Sequence, residues 1–277
     1  MPPLTQQRLQ SVTSRQNPLV KQLRHAISQG EPTKDGHIAV EGVRLIEEAI
    51  RSGLRLRALF FSESFCSESG GARAQRLLPQ VGKSVETLVL PDPVFASAVA
   101  TEHPQGVAAL AVPKKFELNN MISAGPGVLL VVAVGIQDPG NLGTLLRSAE
   151  AFHANGVILA EGTVSAFNSK VIRAAAGSLF RLPCVSADLH DVLPALRSHG
   201  IRMIATSSHK GTPLPQADLK GGVALLIGNE GAGVPRDAFA QADERVVIPH
   251  SAQVESLNAG VAAAIILYEA ARQRNRH

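Results

Sequence analysis

The sequence predicts an α/β protein in which mainly parallel sheets are covered by helices. Strand-like apolar segments alternate with helix-like segments along most of the 277 residues, as is typical of parallel sheets. Apolar residues make up 45% of the chain, with nine Phe, one Tyr and no Trp, so an aliphatic core is expected. A polar stretch with prolines and glycines at 113–126 interrupts the alternation and predicts a linker.

The N-terminal stretch predicts a basic helical extension. Leu19, Leu23 and Ile27 follow one another at intervals of four, and a glycine closes the segment at position 30. This is the pattern of a short amphipathic helix with a glycine after it. The same region carries five Lys or Arg residues against one acid, and we assign residues 1–34 to this extension.

Two α/β domains are expected, a smaller one at 35–112 and a larger one at 127–277. The expected elements of the smaller domain are, in order, the strand HIAV, the helix EGVRLIEEAIRSG, the strand RALFFS, the helix GGARAQRLLPQ, the strand SVETLVL, the helix DPVFASAVA and the strand QGVAALAVP. Those of the larger domain are the strand VLLVVAV, the helix NLGTLLRSAEAFH, the strand GVILA, the helix NSKVIRAAAGSLF, the strand LPCVS, the helix DLHDVLPALRSHG, the strands IRMIATS and VALLIG, the helix PRDAFAQA, the strand ERVVIP and the helix VESLNAGVAAAIILYEAARQR.

Composition excludes several protein classes. The best apolar run, GVLLVVAVG at 127–135, is half the length of a membrane-spanning helix, and the N-terminus lacks the apolar core of a signal peptide. Cys66 and Cys184 are far apart, without a CxxC pattern or a nearby His cluster. We therefore expect reduced thiols, a cytoplasmic protein, no membrane association and no metal site.

The net charge of the chain favours a polyanionic partner. The formal charge is +4 with a pI near 9.3, and Arg272, Arg274 and Arg276 add to the positive charge near the C-terminus. Basic regions of this kind are typical of nucleic-acid binding. A solvated basic surface explains these charges equally well.

A glycine-rich stretch, ALLIGNEGAGVP at 224–235, follows an apolar run as if a buried strand opened into a ligand loop. Its spacing GxxGxG, from Gly228, Gly231 and Gly233, is neither the GxGxxG of a dinucleotide fold nor the GxxxxGK[ST] of a P-loop. Glu230 would repel a phosphate, so a phosphate cradle is disfavoured. An ordinary turn after a buried strand remains an alternative.

Two further stretches place polar residues at helix starts. Asn141 is expected as a helix N-cap, and Arg147 points about 140° away from Leu142 on the apolar face of that helix, free for solvent, a partner or a substrate. Ser256 and Asn258 are expected in the first turn of a long helix whose small residues permit close backbone approach. Taken alone, such a helix start serves a ligand, a subunit interface or core packing equally well.

Together the three stretches resemble a known family. The runs NLGTLLRSAEAF, LLIGNEGAGVP and VIPHSAQVESLNAGVAAAIILYEA, in this order, are similar to motifs one, two and three of the SpoU (TrmH-type) RNA 2′-O-ribose methyltransferases of the SPOUT superfamily. The resemblance covers roughly Val128 to Arg272. The segments SRQNPLVKQLRHA and HIAVEGVRLIEEAIRSG resemble the substrate-binding domain that precedes the catalytic domain in many of these enzymes.

The resemblance implies a C-terminal SPOUT-type trefoil-knot domain, which is an exception to unknotted topology. It also implies S-adenosylmethionine bound in the knot, a homodimer and an RNA substrate. The implied cofactor-binding residues are Gly228, Ile248 and Leu257, with Thr206 lining the same pocket. The implied catalytic set is Asn141, Arg147, Glu230, Ser256 and Asn258.

The family's candidate for activating the ribose hydroxyl is Arg147. A guanidinium group stays protonated in proteins, so we hypothesise that Arg147 chiefly clamps a nucleotide phosphate and stabilises the developing alkoxide. Glu230 and Asn141 would position Arg147 and the ribose, while Ser256 and Asn258 would fix the knot loop. Phosphate or water would assist proton removal.

The separate N-terminal domain favours rRNA over tRNA as substrate, because the short tRNA enzymes of this family generally lack it. Three other functions compete with this hypothesis. A non-catalytic RNA-binding homologue would not bind S-adenosylmethionine. A SPOUT enzyme that modifies a base nitrogen is disfavoured by the NLGTLLRSAEAF and SLN signatures, and a nucleotide-dependent dehydrogenase by the missing GxGxxG.

Overall fold

The computed structural model of the protein describes residues 9–67, 76–99, 101, 104–208, 210–251 and 253–275. The chain forms two compact units: the first comprises Met1–Lys114 with Phe167–Arg173, and the second comprises Lys115–Ala166 with Ala174–His277. Most of the predicted helix GGARAQRLLPQ lies outside the described residues.

The first unit has a five-stranded mixed sheet. Its described elements are β1 (Leu9–Ser11), α1 (Pro18–Gln29), β2 (Ile38–Glu41), α2 (Val43–Arg51), β3 (Arg55–Ser62), α3 (Glu63–Ser67), a 3-10 turn (Leu78–Gln80), β4 (Glu86–Leu90), α4 (Asp92–Ala96) and β5 (Val107–Val112). The strand order is β1-β4-β3-β5-β2. The pairs β1–β4 and β4–β3 are parallel, whereas β5 runs antiparallel to both β3 and β2.

The sequence-based expectation of a mainly parallel arrangement is therefore wrong for this first sheet. Between β4 and β5 the described helix, α4, has five residues, so it rises only about 7.5 Å. A five-residue strand is about 17 Å long, and a parallel return would have to run back along that length. The chain instead enters β5 at the end of the sheet where β4 ends.

Helix α1 forms as predicted but belongs to the first unit. The side chain of Asn17 accepts hydrogen bonds from the amides of Leu19 and Val20, and Gly30, with φ 65°, ends the helix. The apolar side of α1 lies in the same buried cluster as the sheet residues Phe60 and Leu88. Strand β1, which periodicity did not predict, pairs with β4. The predicted extension at 1–34 is thus not a separate body where the structure describes it.

The second unit has a seven-stranded sheet. Its described elements are α5 (Leu118–Ile122), β6 (Leu129–Ala133), α6 (Pro139–Ala151), β7 (Gly156–Leu159), a 3-10 turn (Ser178–Phe180), β8 (Cys184–Ser186), α8 (Leu189–Ser198), β9 (Arg202–Ser207), β10 (Thr212–Pro213), a 3-10 turn (Leu214–Gln216), β11 (Val223–Ile227), α9 (Arg236–Gln241), β12 (Glu244–Val247) and α10 (Ala259–Gln273). Helix α7 (Ser169–Ala174) is counted with the first unit except for its last residue. The order is β10-β12-β9-β11-β6-β7-β8, and each pairing of named strands is parallel, which confirms the predicted parallel sheet.

The predicted linker at 113–126 differs from the structure. It contains helix α5, whose Met121 and Ile122 are buried in the core of the second unit together with Leu130. A five-residue helix is too short to show an apolar period, so the proline and glycine residues around it dominated the pattern.

The carboxyl ends of β6, β9, β11 and β12 lie at one edge of the second sheet, because all four strands are parallel neighbours in the order β12-β9-β11-β6. Loops that leave this edge are the usual place for a ligand in an open α/β sheet. Helix α10 packs against α6 near the same edge. A Cβ on Gly260 would lie 3.0 Å from Thr144 Cβ and 3.1 Å from the carbonyl oxygen of Asn141, so the two helices approach closely.

We expect the Gly260→Val substitution to force α6 and α10 apart and to destabilise the fold by about 1–3 kcal/mol, because overpacking a tight contact costs that much. Thermal unfolding followed by circular dichroism measures the effect. Ala264→Val, on a half-buried position of the same helix, is the control and is expected to change the melting temperature much less. Equal melting temperatures for both variants would contradict a close contact at Gly260.

Candidate active site

A cavity of about 300 Å³ lies in the second unit, between the end of β9, the loop after β11 and the start of α10. Parallel strand ends and a helix start converge there, at the edge of the sheet where ligands usually bind in open α/β folds. The hydroxyl of Thr206 donates to the carbonyl oxygen of Leu226 at 3.1 Å and ties β9 to β11. Six predicted site residues line this cavity: Thr206, Gly228, Glu230, Ile248, Ser256 and Leu257.

The loop after β11 folds back tightly on itself at Gly228. A Cβ on Gly228 would lie 2.1 Å from the carbonyl carbon of Gly233 and 2.2 Å from the amide nitrogen of Val234. Real Cβ atoms do not approach backbone this closely, so glycine is required here. The predicted approach of this backbone to adenosine stays a prediction.

Asn229 holds the loop and was missed by sequence reasoning. Its side-chain amide donates to the carbonyl oxygen of Gly135 at 2.9 Å, and its side-chain oxygen accepts from the amides of Gly231 at 2.8 Å and Ala232 at 3.2 Å. The sequence did contain a signal for this role: an Asn side chain before a glycine-rich turn often accepts a hydrogen bond from the backbone amide two residues later.

Glu230, Asn141 and Asn258 form one hydrogen-bonded network. The side-chain amide of Asn141 donates to Glu230 Oε1 at 2.6 Å, and the side-chain amide of Asn258 donates to Asn141 Oδ1 at 2.7 Å. Glu230 Oε1 also accepts from the amide of Ala259 at 3.0 Å. Three predicted catalytic residues from three distant parts of the sequence are thereby brought together at the cavity.

The helix starts differ from the sequence-based expectation. Asp138, not Asn141, caps α6, and its carboxylate accepts from the Asn141 amide at 2.8 Å. The helix starts earlier because Pro139 suits the first helical position, which leaves the Asn141 side chain free to reach Glu230. Helix α10 starts at Ala259, so Ser256 lies in the preceding loop and Asn258 is the N-cap, bonding the Val261 amide at 3.1 Å.

Arg147 is exposed on α6 and does not line the cavity of its own chain. Among the described residues, its guanidinium group has no hydrogen-bond or ion-pair partner. The prediction that it lies off the apolar face of the helix is correct, because Leu142, Leu145 and Leu146 are the buried positions. The predicted contact of Arg147 with Glu230 and Asn141 is not formed within the chain.

Another cavity residue that the sequence did not single out is His250. Its ring nitrogens lie 2.7 Å from the carbonyl oxygen of Ile248 and 3.2 Å from that of Val254. The ring therefore lies between the start and the middle of the loop that follows β12. A lone His in a polar loop carries no sequence signal for this role.

The two cysteines are not placed as nucleophiles. Burial raises the pKa of the Cys184 thiol to about 12 and also raises the pKa of the Cys66 thiol, so both stay protonated at neutral pH. Within the described parts of the chain, no group of three or more His, Cys, Asp or Glu side chains could hold a metal ion. No helix among the described residues is long and apolar enough to cross a membrane.

Sequence profiles match both units of the chain. The SpoU rRNA Methylase family matches residues 128–268, about half of the chain, and the MRM3-like substrate binding domain matches residues 17–109. The chain belongs to the SpoU rRNA methylase family.

Similarity to individual members extends over nearly the whole chain. The chain is 33% identical over 262 residues to the Bacillus subtilis 23S rRNA (guanosine(2553)-2′-O)-methyltransferase RlmP, covering 94% of this chain and 98% of that protein. It is 31% identical over 253 residues to the 23S rRNA (uridine(2479)-2′-O)-methyltransferase of Streptomyces viridochromogenes, covering 89% and 86%. The crystal structure of the SpoU methyltransferase AviRb from Streptomyces viridochromogenes, in complex with AdoMet, matches with a TM-score of 0.80 and 29% identity, covering 94% of this chain and 99% of that chain.

These findings confirm the predicted family, the α/β fold with a mainly parallel sheet, the enzyme class and the cofactor. The protein is an S-adenosylmethionine-dependent RNA 2′-O-methyltransferase with a substrate-binding domain before the catalytic domain.

The lining of the second-unit cavity fits S-adenosylmethionine. Ile227, Ile248 and Ile266 supply apolar walls, and the glycines of the loop expose backbone groups to a ligand. Among the described lining residues there is a carboxylate, Glu230, but no Lys or Arg. Such a lining suits a cationic sulfonium and an uncharged adenosine better than a phosphate.

We expect Gly228→Ala to weaken S-adenosylmethionine binding about tenfold or more, because the new methyl group must displace backbone at a cost of roughly 1–3 kcal/mol. Gly231→Ala is the matched control in the same loop, since a Cβ there meets only Asn229 Oδ1 at an ordinary 3.5 Å. Isothermal titration calorimetry with both variants measures the difference. Unchanged affinity in Gly228→Ala would show that the loop does not shape the cofactor pocket.

Proposed function

We propose that the protein transfers a methyl group from S-adenosylmethionine to a ribose 2′-hydroxyl of 23S-type rRNA. The observation that carries the site assignment is the network of Asn141, Glu230 and Asn258 at the S-adenosylmethionine cavity. The choice of rRNA is supported by the two relatives named as 23S rRNA methyltransferases, which match nearly the whole chain. The substrate-binding domain supports it further.

Methyl transfer to a hydroxyl is an in-line displacement that requires alignment of the reacting groups and loss of the hydroxyl proton. S-adenosylmethionine supplies an electrophilic methyl group when bound. Glu230 and Asn141 hold the ribose at the cavity, and their mutual hydrogen bond fixes both side chains in place. Ser256 and Asn258 order the loop that closes the cavity.

Arg147 acts on the RNA rather than on the cofactor. Its guanidinium group stays protonated, so it clamps a phosphate next to the target ribose and stabilises the developing alkoxide. That phosphate or a water molecule takes the proton. Because Arg147 does not line the cavity of its own chain, it serves the cavity of a second copy in a homodimer.

The homodimer interface lies on α10. Val261, Ile265 and Tyr268 are 46%, 37% and 54% exposed and follow one another at intervals of four and three, which places them on one side of the helix. An apolar stripe of this kind typically marks an interface. Helix α6, which carries Arg147, packs beside it, as the edge-to-face contact of Phe152 with Tyr268 illustrates.

The second unit is a trefoil knot, and the enzyme works in the cytoplasm. The knot is supported by the path of the chain after β12, which continues into α10. Gln273 at the end of α10 and Arg274 after it donate to the carbonyl oxygens of Ala217 at 2.9 Å and Gly127 at 2.6 Å, respectively. The cytoplasmic setting is supported by the unpaired Cys66 and Cys184.

Site-resolved mapping of 2′-O-methylation tests the substrate. Total RNA from a strain that lacks the gene is expected to lose methylation at a single 23S rRNA position, and the gene is expected to restore it. Complementation with the Arg147→Ala variant is the control and is expected to leave the position largely unmethylated. Loss of a tRNA methylation instead, with rRNA unchanged, would identify a tRNA enzyme and contradict the proposed substrate.

The Arg147→Ala variant is expected to lower kcat about 100-fold, the usual effect of removing a group that stabilises a developing negative charge, without changing S-adenosylmethionine affinity. Arg236→Ala, an exposed arginine on α9, is the control and should keep normal turnover. Near-normal methyl transfer by Arg147→Ala at saturating RNA would exclude this role.

Mixing two variants with different defects tests whether the site is shared between copies, at an S-adenosylmethionine concentration low enough for Gly228→Ala to be nearly inactive. Arg147→Ala and Gly228→Ala chains, unfolded and refolded together, are expected to recover about a quarter of wild-type activity, because random pairing gives half heterodimers with one intact site each. No recovery, with heterodimers present, would place Arg147 in the cavity of its own chain.

The Ile265→Asp variant is expected to shift the protein from dimer to monomer in sedimentation velocity, since an unpaired charge in an apolar interface is costly. Arg236→Asp introduces the same residue at an exposed position outside the apolar stripe and should leave the dimer intact. A wild-type chain that sediments as a monomer would contradict the homodimer.

A further inference from the structure

The first unit has a cavity of its own, of about 920 Å³, which the proposed catalytic mechanism does not use. It lies at the junction of β2 and α2 and is lined by the first turn of that helix, by the segment before β5 and by Arg173, a residue counted with the first unit. The volume is within the range of roughly 300–1,000 Å³ that is usual for ligand sites. Three arginines and two glutamates are among the described lining residues.

A buried carboxylate in this cavity lacks a hydrogen-bond partner. Glu41 is only 9% exposed. Its Oε1 accepts a hydrogen bond from Thr101, whereas Oε2 has no hydrogen-bond partner among the described residues. Arg173 Nη1 lies 3.8 Å from Oε2, too far for a hydrogen bond. That buried nitrogen is likewise unsatisfied in the described part of the chain.

Buried polar atoms in proteins are nearly always paired with protein, ordered water or a ligand, so a ligand in this cavity can supply the partners that these two atoms need. An ionised carboxylate only accepts hydrogen bonds and a guanidinium group only donates them. The group that satisfies both must present a donor next to an acceptor. A phosphate presents no donor under neutral conditions and therefore cannot satisfy Glu41.

The Watson–Crick edge of a nucleobase has this property. Each of the four RNA bases carries a ring or exocyclic N–H donor beside a nitrogen or oxygen acceptor on that edge. In a duplex the edge is occupied by the paired base, whereas unpaired nucleotides in loops and bulges expose it and are read there by proteins. Phe65, half-buried in the cavity lining and stacked on Phe61 with ring centroids 5.9 Å apart, provides an aromatic surface for such a base.

The first turn of α2 can bind the phosphate group of a nucleotide whose base lies at Glu41 and Arg173. The helix is capped by Gly42, which offers no side-chain cap, so the first-turn amides have no intrahelical partners. Val43, Arg44 and Leu45, which carry these amides, line the cavity. An uncapped helix N-terminus attracts anions, and the side chains of Arg44 and Arg76 add positive charge to the lining.

We infer that this cavity binds one unpaired nucleotide of the RNA substrate, with the base edge on Glu41 and Arg173 and the phosphate on the first turn of α2. The inference rests on the proposed function for the identity of the substrate as RNA. It adds the form in which the substrate-binding domain recognises that RNA: an unpaired nucleotide, held by a buried carboxylate as well as by positive charge.

The four nucleoside 5′-monophosphates are the direct probes. In ¹⁵N-labelled full-length protein, at least one of them is expected to shift the amide signals of Gly42 to Leu45 and of Gly106 more strongly than inorganic phosphate does at the same concentration. Glu41→Gln is expected to weaken that nucleotide about tenfold and to leave the response to phosphate unchanged. If none of the four shifts these signals, or if phosphate reproduces the shifts and Glu41→Gln has no effect, the nucleotide site is excluded.

Binding of the full-length protein to 23S rRNA transcripts provides a second test, which does not depend on a buried substitution. Arg44→Ala, at an exposed position, is expected to weaken binding and to lower the slope of log affinity against log salt by about 1, as loss of one phosphate contact does. Arg51→Ala, on the same helix but outside the cavity lining, is the matched control and should change neither. Wild-type affinity and slope in Arg44→Ala would overturn the inference even if Glu41→Gln failed to fold.

The two proposals fail separately. Absence of methyl transfer by the wild-type enzyme would contradict the proposed function and leave the nucleotide-induced shifts in the first unit to be judged by themselves. Normal methyl transfer together with unchanged rRNA affinity and unchanged KM for RNA in Arg44→Ala would contradict the cavity site alone.

Discussion

The carboxylate of Glu230 connects three segments of the catalytic unit. Its Oε1 accepts hydrogen bonds from the Asn141 side chain and from the Ala259 amide, while its backbone belongs to the loop after β11. The start of α6, the start of α10 and the loop after β11 are thereby held at fixed positions around one cavity. One side chain therefore positions three segments that are far apart in the sequence.

This arrangement depends on backbone segments that approach one another without side chains between them. Gly228 lies against the backbone of Gly233 and Val234, and Gly260 lies against α6. A larger residue at Gly228 would collide with this backbone, and one at Gly260 would press the two helices apart. The glycines thus serve the geometry of the Glu230 network and do not form a phosphate-binding loop.

Two different kinds of recognition are assigned to the two units. The cavity of the second unit has apolar walls and a carboxylate, which suits a cationic sulfonium cofactor, whereas the cavity of the first unit combines arginines with an unsatisfied carboxylate. Positive charge by itself gives RNA affinity without sequence information. A buried group such as Glu41 is what allows the first unit to distinguish one nucleotide arrangement from another.

The sequence by itself determined the family, the parallel catalytic sheet and helix α1, because apolar periodicity and local motifs depend on neighbouring residues along the chain. It did not reveal the antiparallel strand β5, the short helix α5 within the predicted linker, or the start of α10 at Ala259. These features depend on the length that a short helix spans and on which backbone groups form hydrogen bonds in the folded chain. Only the tertiary structure decided that Asn141 reaches Glu230 instead of capping its helix, that Asn229 holds the loop, and that Arg147 lies outside the cavity of its own chain. Each of these outcomes depends on the distance between residues that are far apart in the sequence, which a local pattern does not contain.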